Sequence, residues 1–477
     1  MNGDAQERID PRITLTVLSL AGLAFAVLSS AVVPALPTIQ HSLGTSETGV
    51  TWLLTGYLLS ASVATAILGR LGDMHGKEHV LLYTLVILGA GTLLAAVSHS
   101  LAVLIAARVI QGVGGGIFPL SFGIIRDEFP REKVAGSIGL MSAILGIGAG
   151  LGIVLGAVIV ENLPWQWLFW MPFVVIVIAA FSTWRFVPES PVRIPARLNW
   201  TAAVLMGLGI ATLLLAITET TTWGWTSTQT LALFATGLIF CCAWVAVELR
   251  SREPLIDMAM MRIRGVWTTN LTAFLLGAGM YSSFVLFPQF AQLPKSTGFG
   301  FGASVVASGI YLLPATIGMV VVGFAAGHIA AGFGSKNALV AGSSITAAAF
   351  AFLAIAHSSP VDLLVSASLL GIGIGLAFSA LGNLIVQAVK PHQTGVAAGM
   401  NTVMRTIGGA LGGQLAATFI AGNTASDGLP TVTGFTDSFL MAAGFLVVCT
   451  LAAVLVPDGR PRTALADLAP APSFSED

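Results

Sequence analysis

Gly69-Arg70-Leu71-Gly72-Asp73-Met74-His75-Gly76-Lys77 is a short polar island between two apolar runs, 50–69 and 79–97. Each run has about the twenty residues a helix needs to cross ~30 Å of hydrocarbon, where every backbone polar group must be satisfied within the segment. Extended in both directions, the same template predicts fourteen spans: 13–36, 50–69, 79–97, 103–125, 135–160, 166–187, 199–217, 229–249, 267–292, 303–327, 337–356, 361–386, 394–421 and 436–456. Composition agrees, because 55% hydrophobic and 9% charged residues in a chain of 477 cannot cover a soluble surface with polar groups. The N-terminal Met1–Arg12 is polar and runs into a first span longer than a signal-peptide core, without an A-x-A cleavage site, so that span is expected to stay.

Charge narrows the partners. The formal net charge is −1, with no basic domain or acidic tail, which removes most of the case for nucleic-acid binding. Cys241, Cys242 and Cys449 lie in apolar runs and read as small buried hydrophobes, not as a disulfide or metal set. With a cytoplasmic N-terminus, 18 of the 21 Lys and Arg residues fall on the inner side, only Lys295 falls outside, and Arg108 and Arg405 fall within spans. That asymmetry predicts fourteen helices in the cell (inner or plasma) membrane with both termini cytoplasmic.

A near-constant offset relates the two halves. A shift of 258 lays 69–76 over 327–334, with the outer glycines aligned; a shift of 259 lays Gly112 and Gly114 over Gly371 and Gly373, and Gly136 and Met141 over Gly395 and Met400. The expected fold is an all-α integral membrane protein of two pseudo-symmetric six-helix bundles, 13–187 and 267–456, with two helices inserted between them in 188–266. Cytoplasmic segments 1–12 and 457–477 flank these units. The 54 glycines suit close helix packing in lipid, either static or sliding.

The 69–77 segment resembles the signature loop of the major facilitator superfamily. Other stretches resemble that family's fourteen-helix drug:proton antiporter branch: Leu104, Arg108, Gln111, Gly112 and Gly114 in L-x-x-x-R-x-x-Q-G-x-G spacing, Trp52 to Tyr57, Trp165 to Trp167, Leu312 to Pro314, and Asn401, Arg405, Gly408 and Gly409. The resemblance covers nearly the whole chain. It implies a secondary active transporter that exports hydrophobic or amphipathic small molecules by proton antiport. It also implies a coupling part for Arg108 with Gln111, and places Arg405 and Asn401 among the functional residues.

The residues support roles of their own. Asp73, at a helix end with Arg70, Lys77, Arg126 and Arg131 in reach, is expected to form an ion pair or cap, and Gly69, Gly72 and Gly76 to permit a tight turn. Together they read as a gate, against the plainer alternative of a charge cluster that only anchors the loop. Arg108 and Arg405 are intramembrane charges, functional by default, although Arg405 could instead snorkel if it lies in the cytoplasmic third of its helix. Trp165, Trp167, Trp223 and Trp225 read as interface anchors. Trp52, Tyr57, Phe274, Tyr281, Phe284 and Gln289, with Asn401, are candidates for a substrate pocket.

Two departures from the family's pattern bear on coupling. Leu28 stands at the acidic position of helix 1, and 152–157 of helix 5 lacks the usual proline. The remaining acids near the membrane are peripheral, with Glu161 and Glu219 near the outer mouth the best candidates for proton coupling. A core offering positive charge and no negative one raises a second possibility: a lipid or anionic natural-product exporter or flippase on the same fold, with atypical or no proton coupling. No phosphate-binding loop or catalytic cluster is present, so neither ATP-driven transport nor an enzyme is expected, and no cofactor or metal. The expected partners are the substrate, protons and membrane lipids, for a monomer.

Overall fold

The structure, a computed structural model, describes residues 10–190, 198–425 and 429–457. Arg8, Arg193, Arg197, Arg460 and Arg462, used in the charge count, lie outside those residues. Thirteen helices among the described residues are long and apolar enough to cross a membrane. They are α1 (Pro11–Leu43), α2 (Glu47–His75), α3 (Lys77–Ala96), α4 (Leu101–Glu128), α5 (Arg131–Asn162), α6 (Trp167–Phe186), α7 (Trp200–Thr218), α8 (Thr228–Arg250), α9 (Arg264–Gln292), α10 (Val306–Gly332), α11 (Ser335–Ile355), α12 (Pro360–Gln387) and, last in the chain, α14 (Val432–Leu455). The fourteenth, α13 (Thr394–Gly422), has 29 residues but less apolar character. It carries Asn401, Thr402, Arg405, Thr406 and Gln414 and faces its neighbours instead of lipid.

Several helices break where the sequence dictates. α1 turns at Ala31 and Val32, just before Pro34, and continues as a 3-10 segment. α4 passes through a 3-10 stretch at Gly112–Gly116. The expected loop 69–77 is helical up to His75, and only Gly76, with φ of 104°, breaks the chain before α3 begins at Lys77. The reason for the difference is packing: the last turns of α2 are sealed against other helices, so they need no hydrated loop.

The helix pairs repeat across the two halves. α1 packs on α5 and α6, α2 on α4, and α3 on α4 and α6; α9 packs on α13 and α14, α10 on α12, and α11 on α12 and α14. Adding eight to each helix number of the first set gives the second, the packing counterpart of the 258–259 offset. The bundles meet along two seams related the same way, α2 with α13 and α5 with α10. α7 and α8 pack on each other, and α7 also lies against α2 and α13.

Glycines set the approach of these helices. On α5, Gly148, Gly152 and Gly156 face α1, while Gly139, Gly146 and Gly150 face α10; a Cβ at any of them would overlap its neighbour. Gly408 and Gly412 on α13 face α9 in the same manner. Two expectations are corrected: Trp165 is buried and donates to Ser42 Oγ at 3.0 Å, so it packs inside its bundle, and Cys242 is exposed on the outside of α8 while Cys449 is buried.

Candidate functional site

At the end of the molecule that holds 69–77, the two seams are shut. α2 and α13 touch backbone to backbone at Gly69 and Gly395, where a Cβ on either would overlap the other's carbonyl. Gly69 and Gly72 therefore act as contact points within a helix, not as turn residues. Asp73, fully buried, accepts a hydrogen bond from Val396 N at 3.3 Å, in the first turn of α13. Helix N-termini favour an anion there. The carboxylate of one bundle thus caps a helix of the other.

Lys77 is also fully buried. Its Nζ lies 2.7 Å from Asp127 Oδ2 and 3.5 Å from Asp73 Oδ1. Asp127, which sequence reasoning missed, also accepts from Ser190. Arg126 reaches across the seam, donating to Thr394 Oγ1 and Val389 O, both at 2.7 Å, and to Lys390 O at 3.4 Å. Arg70 is half-buried at the same end, and Arg131 is exposed. His392, in the turn before α13, is held below its ordinary pKa by burial and then by Lys390, Arg70, Arg126 and Lys77. At the second seam Gly136 meets Gly327, and Asn383 Nδ2 donates to Ala135 O at 3.0 Å.

From mid-length towards the other end α2 and α13 part around a cavity of about 500 Å³, while α5 and α10 stay in contact from Gly136 with Gly327 to Gly150 with Thr316. Its wall is mostly apolar, with the aromatic residues Phe25, Tyr57, Phe118, Tyr281, Phe284 and Phe378. The hydroxyls of Ser62, Thr65, Thr402 and Thr406 also line it, each donating to a carbonyl of its own helix. Of the residues expected here, Tyr57, Tyr281 and Phe284 line the cavity. Asn401 lines a small recess beside it and donates to Thr269 O and Asn270 Oδ1. Trp52, Phe274 and Gln289 are not in the wall: Trp52 and Gln289 are exposed, and Phe274 lies against Gly408.

The two intramembrane arginines are housed differently. Arg108, on α4, is fully buried and donates to Leu53 O at 3.1 Å, Leu28 O at 3.4 Å and Gln111 Oε1 at 2.8 Å. Its guanidinium lies 4.1 Å from the centre of the Tyr57 ring. Gln111 in turn donates to Gly91 O at 3.4 Å, so the Arg108–Gln111 pair ties α1, α2, α3 and α4 together. Arg405, on α13, lines the cavity with 9% of its surface exposed and stands 4.7 Å from the centre of the Phe378 ring. It has not snorkelled to a helix end. Its Nε is buried without a hydrogen-bond partner, and no carboxylate pairs with it among the described residues. Glu161 is exposed at the end of α5, and Glu219 is half-buried in the cap of α7; neither lines the cavity.

This arrangement has known counterparts. The chain is 29% identical over 408 residues to multidrug resistance protein 3 of Bacillus subtilis, covering 83% of this chain and 78% of that one. It is 28% identical over 411 residues to the tetracenomycin C resistance and export protein of Streptomyces glaucescens, covering 84% and 74%. The fold is similar to that of the human organic anion transporter MFSD10 (TETRAN), with a TM-score of 0.67 at 17% identity, covering 93% of this chain and 99% of that one. It is also similar to the proton:xylose symporter XylE, with a TM-score of 0.66 at 13% identity, covering 94% and 96%. The family model of the Major Facilitator Superfamily matches residues 18–413, and with it the paired bundles around a central cavity have their explanation: the chain belongs to the major facilitator superfamily.

Proposed function

We propose that this transporter is a secondary active exporter of hydrophobic or amphipathic small molecules, exchanging them for protons by alternating access. The observation that carries this reading is the cavity of about 500 Å³ between two pseudo-symmetric bundles, shut at one end and reaching towards the other. Its size suits a drug-sized ligand and its aromatic, mostly apolar wall suits an amphiphile. Relatives named for multidrug resistance and for tetracenomycin C resistance and export support the substrate class. Arg70, Lys77, Arg126, Arg131 and Lys133 gather at the shut end, which favours a cytoplasmic placement of that end and an outward-facing state.

In this scheme the units 13–187 and 267–456 rock against each other, and 188–266 is carried as an insert. Arg108 with Gln111 holds α1 to α4 as one body, so that movement at the shut end reaches the cavity wall. Asp73 and Lys77 form the latch, since the cap on α13 is remade only when the seam closes. Glu161 and Glu219 stand at the open end as the carboxylates that meet incoming protons there.

The test uses proteoliposomes loaded with buffer at a chosen pH and offered neutral, cationic and anionic fluorescent amphiphiles in turn. An imposed proton gradient should drive accumulation of at least one of them, and a protonophore should abolish it. Movement indifferent to the gradient overturns proton exchange. Movement of none of them, in protein that still binds ligand, overturns the exporter reading.

A further inference from the structure

Among the described residues that line the cavity, Arg405 carries the only charge. Charged groups taken out of water need a partner, and Arg108 shows how this fold supplies one when the charge is structural: two backbone carbonyls and a glutamine amide. Arg405 has none of these. Only 9% of its surface is exposed, its Nε donor is unpaired, and its guanidinium stands over the face of Phe378 at 4.7 Å. The helix cannot turn it away, because Gly277 of α9 is packed directly against the Arg405 backbone. The wall hydroxyls of Thr402 and Thr406 donate to Ala398 O and Thr402 O, so their protons are already engaged. The guanidinium is left as the strongest free donor in the cavity.

We infer that Arg405 is the binding site for an acidic group, and that the transported molecule is an amphiphile with one carboxylate, sulfonate or phosphate on an apolar aromatic body. This deepens the exporter reading and rests on it for the word transported; the binding site stands or falls separately. The body would lie between Tyr281, Phe284, Phe118 and Phe25, with the acid against Arg405 and Phe378 beneath the guanidinium. Gln414, nine residues further along α13 and so roughly 13 Å nearer the mouth, has a buried amide oxygen without a partner. A hydroxyl or amine at the far end of the ligand would satisfy it. A lipophilic cation, in contrast, meets a like charge and no carboxylate.

The test is equilibrium binding to purified protein in zwitterionic-lipid nanodiscs, read by the fluorescence of two matched probes. One is 5-dimethylaminonaphthalene-1-sulfonate and the other its uncharged sulfonamide. Charge-assisted hydrogen bonds predict that the sulfonate binds at least about tenfold more tightly. Arg405→Gln should abolish that preference and leave sulfonamide binding within about twofold, while Arg405→Lys, which keeps the charge without the fork, retains part of it. Thermal unfolding of each variant shows whether it is folded. Equal binding of the two probes to the wild type overturns the inference, as does equal loss of both in a folded Arg405→Gln protein, which would make Arg405 part of the wall only. Preferential sulfonate binding without gradient-driven transport would sink the exporter reading and leave the acid site in place.

Discussion

Arg108 and Arg405 are the same side chain within two spans, and the protein treats them in opposite ways. Arg108 sits in a nest of carbonyls that joins four helices of the first bundle. Arg405 stands in the cavity wall of the second, over an aromatic ring and without a hydrogen-bond partner at Nε. Arg108 also keeps one buried nitrogen, Nη2, without a partner, but its other donors reach three acceptors inside the bundle; Arg405 reaches none among the described residues and borders the cavity, where a ligand has access to it. The contrast also breaks the symmetry of the two halves: both line the cavity, and only the second contributes a charge to its described wall.

The largest expected effect is on stability. Arg108→Ala leaves the Leu28 and Leu53 carbonyls and the Gln111 amide without a donor and opens a void, which should cost roughly 3–5 kcal/mol. Arg405→Ala removes an uncompensated charge and should change stability by less than about 1 kcal/mol, in either direction. Thermal unfolding of the two variants, followed by tryptophan fluorescence, checks this, and equal losses would erase the distinction. Gln111→Leu dissects the nest further: losing one charge-assisted bond should cost about 1.5–3 kcal/mol in the same assay.

A smaller effect is expected where an anion bridges the bundles. Asp73→Asn keeps an acceptor for Val396 N but loses the charge at the α13 N-terminus, worth about 0.5–1 kcal/mol. The shut state should therefore lose roughly two- to fivefold in population. In protein lacking Cys241, Cys242 and Cys449, a cysteine at Ala398 should react that much faster with a maleimide in the Asp73→Asn background. Phe378→Leu tests the other support of Arg405: losing the ring contact should weaken sulfonate binding by about two- to fivefold, given ~0.5–1 kcal/mol for a cation beside an aromatic face. It should leave the Arg108 nest unchanged and, because Phe378 is buried in the core of the second bundle, cost about 1 kcal/mol of overall stability.

Hydropathy and the repeat offset were enough to place the fourteen helices and the two bundles, because lipid imposes length and apolarity on each span separately. They failed where a helix answers to protein and not to lipid. The polar last turns of α2 looked like a loop, yet Asp73 and Lys77 are buried there by α13 and α4. α13 itself is less apolar than the rest because it faces the cavity. The seam residues Gly69, Asp73 and Lys77 were legible as a charge and glycine cluster, but Asp127 was not, since it lies fifty residues from Lys77 in the chain. Trp52, Phe274 and Gln289 were plausible by residue type and lie elsewhere by helical phase. A better guide was present: Thr51, Thr55, Ser62 and Thr65 on α2, and Thr402, Thr406, Gly409 and Gly413 on α13, recur at helical spacing and mark the cavity faces. Which arginine was bonded and which was not could be read only from the assembled helices.

The central claim is that the two ends of the α2–α13 seam open in alternation. Spin labels at His75 and Lys390, at the shut end, and at Trp52 and Phe419, at the open end, would report both distances by pulsed electron resonance on protein in nanodiscs. On acidification or addition of a transported amphiphile, the account predicts that one distance distribution lengthens as the other shortens. Distances that change in the same direction, or that stay fixed under conditions where transport is measured, would contradict it.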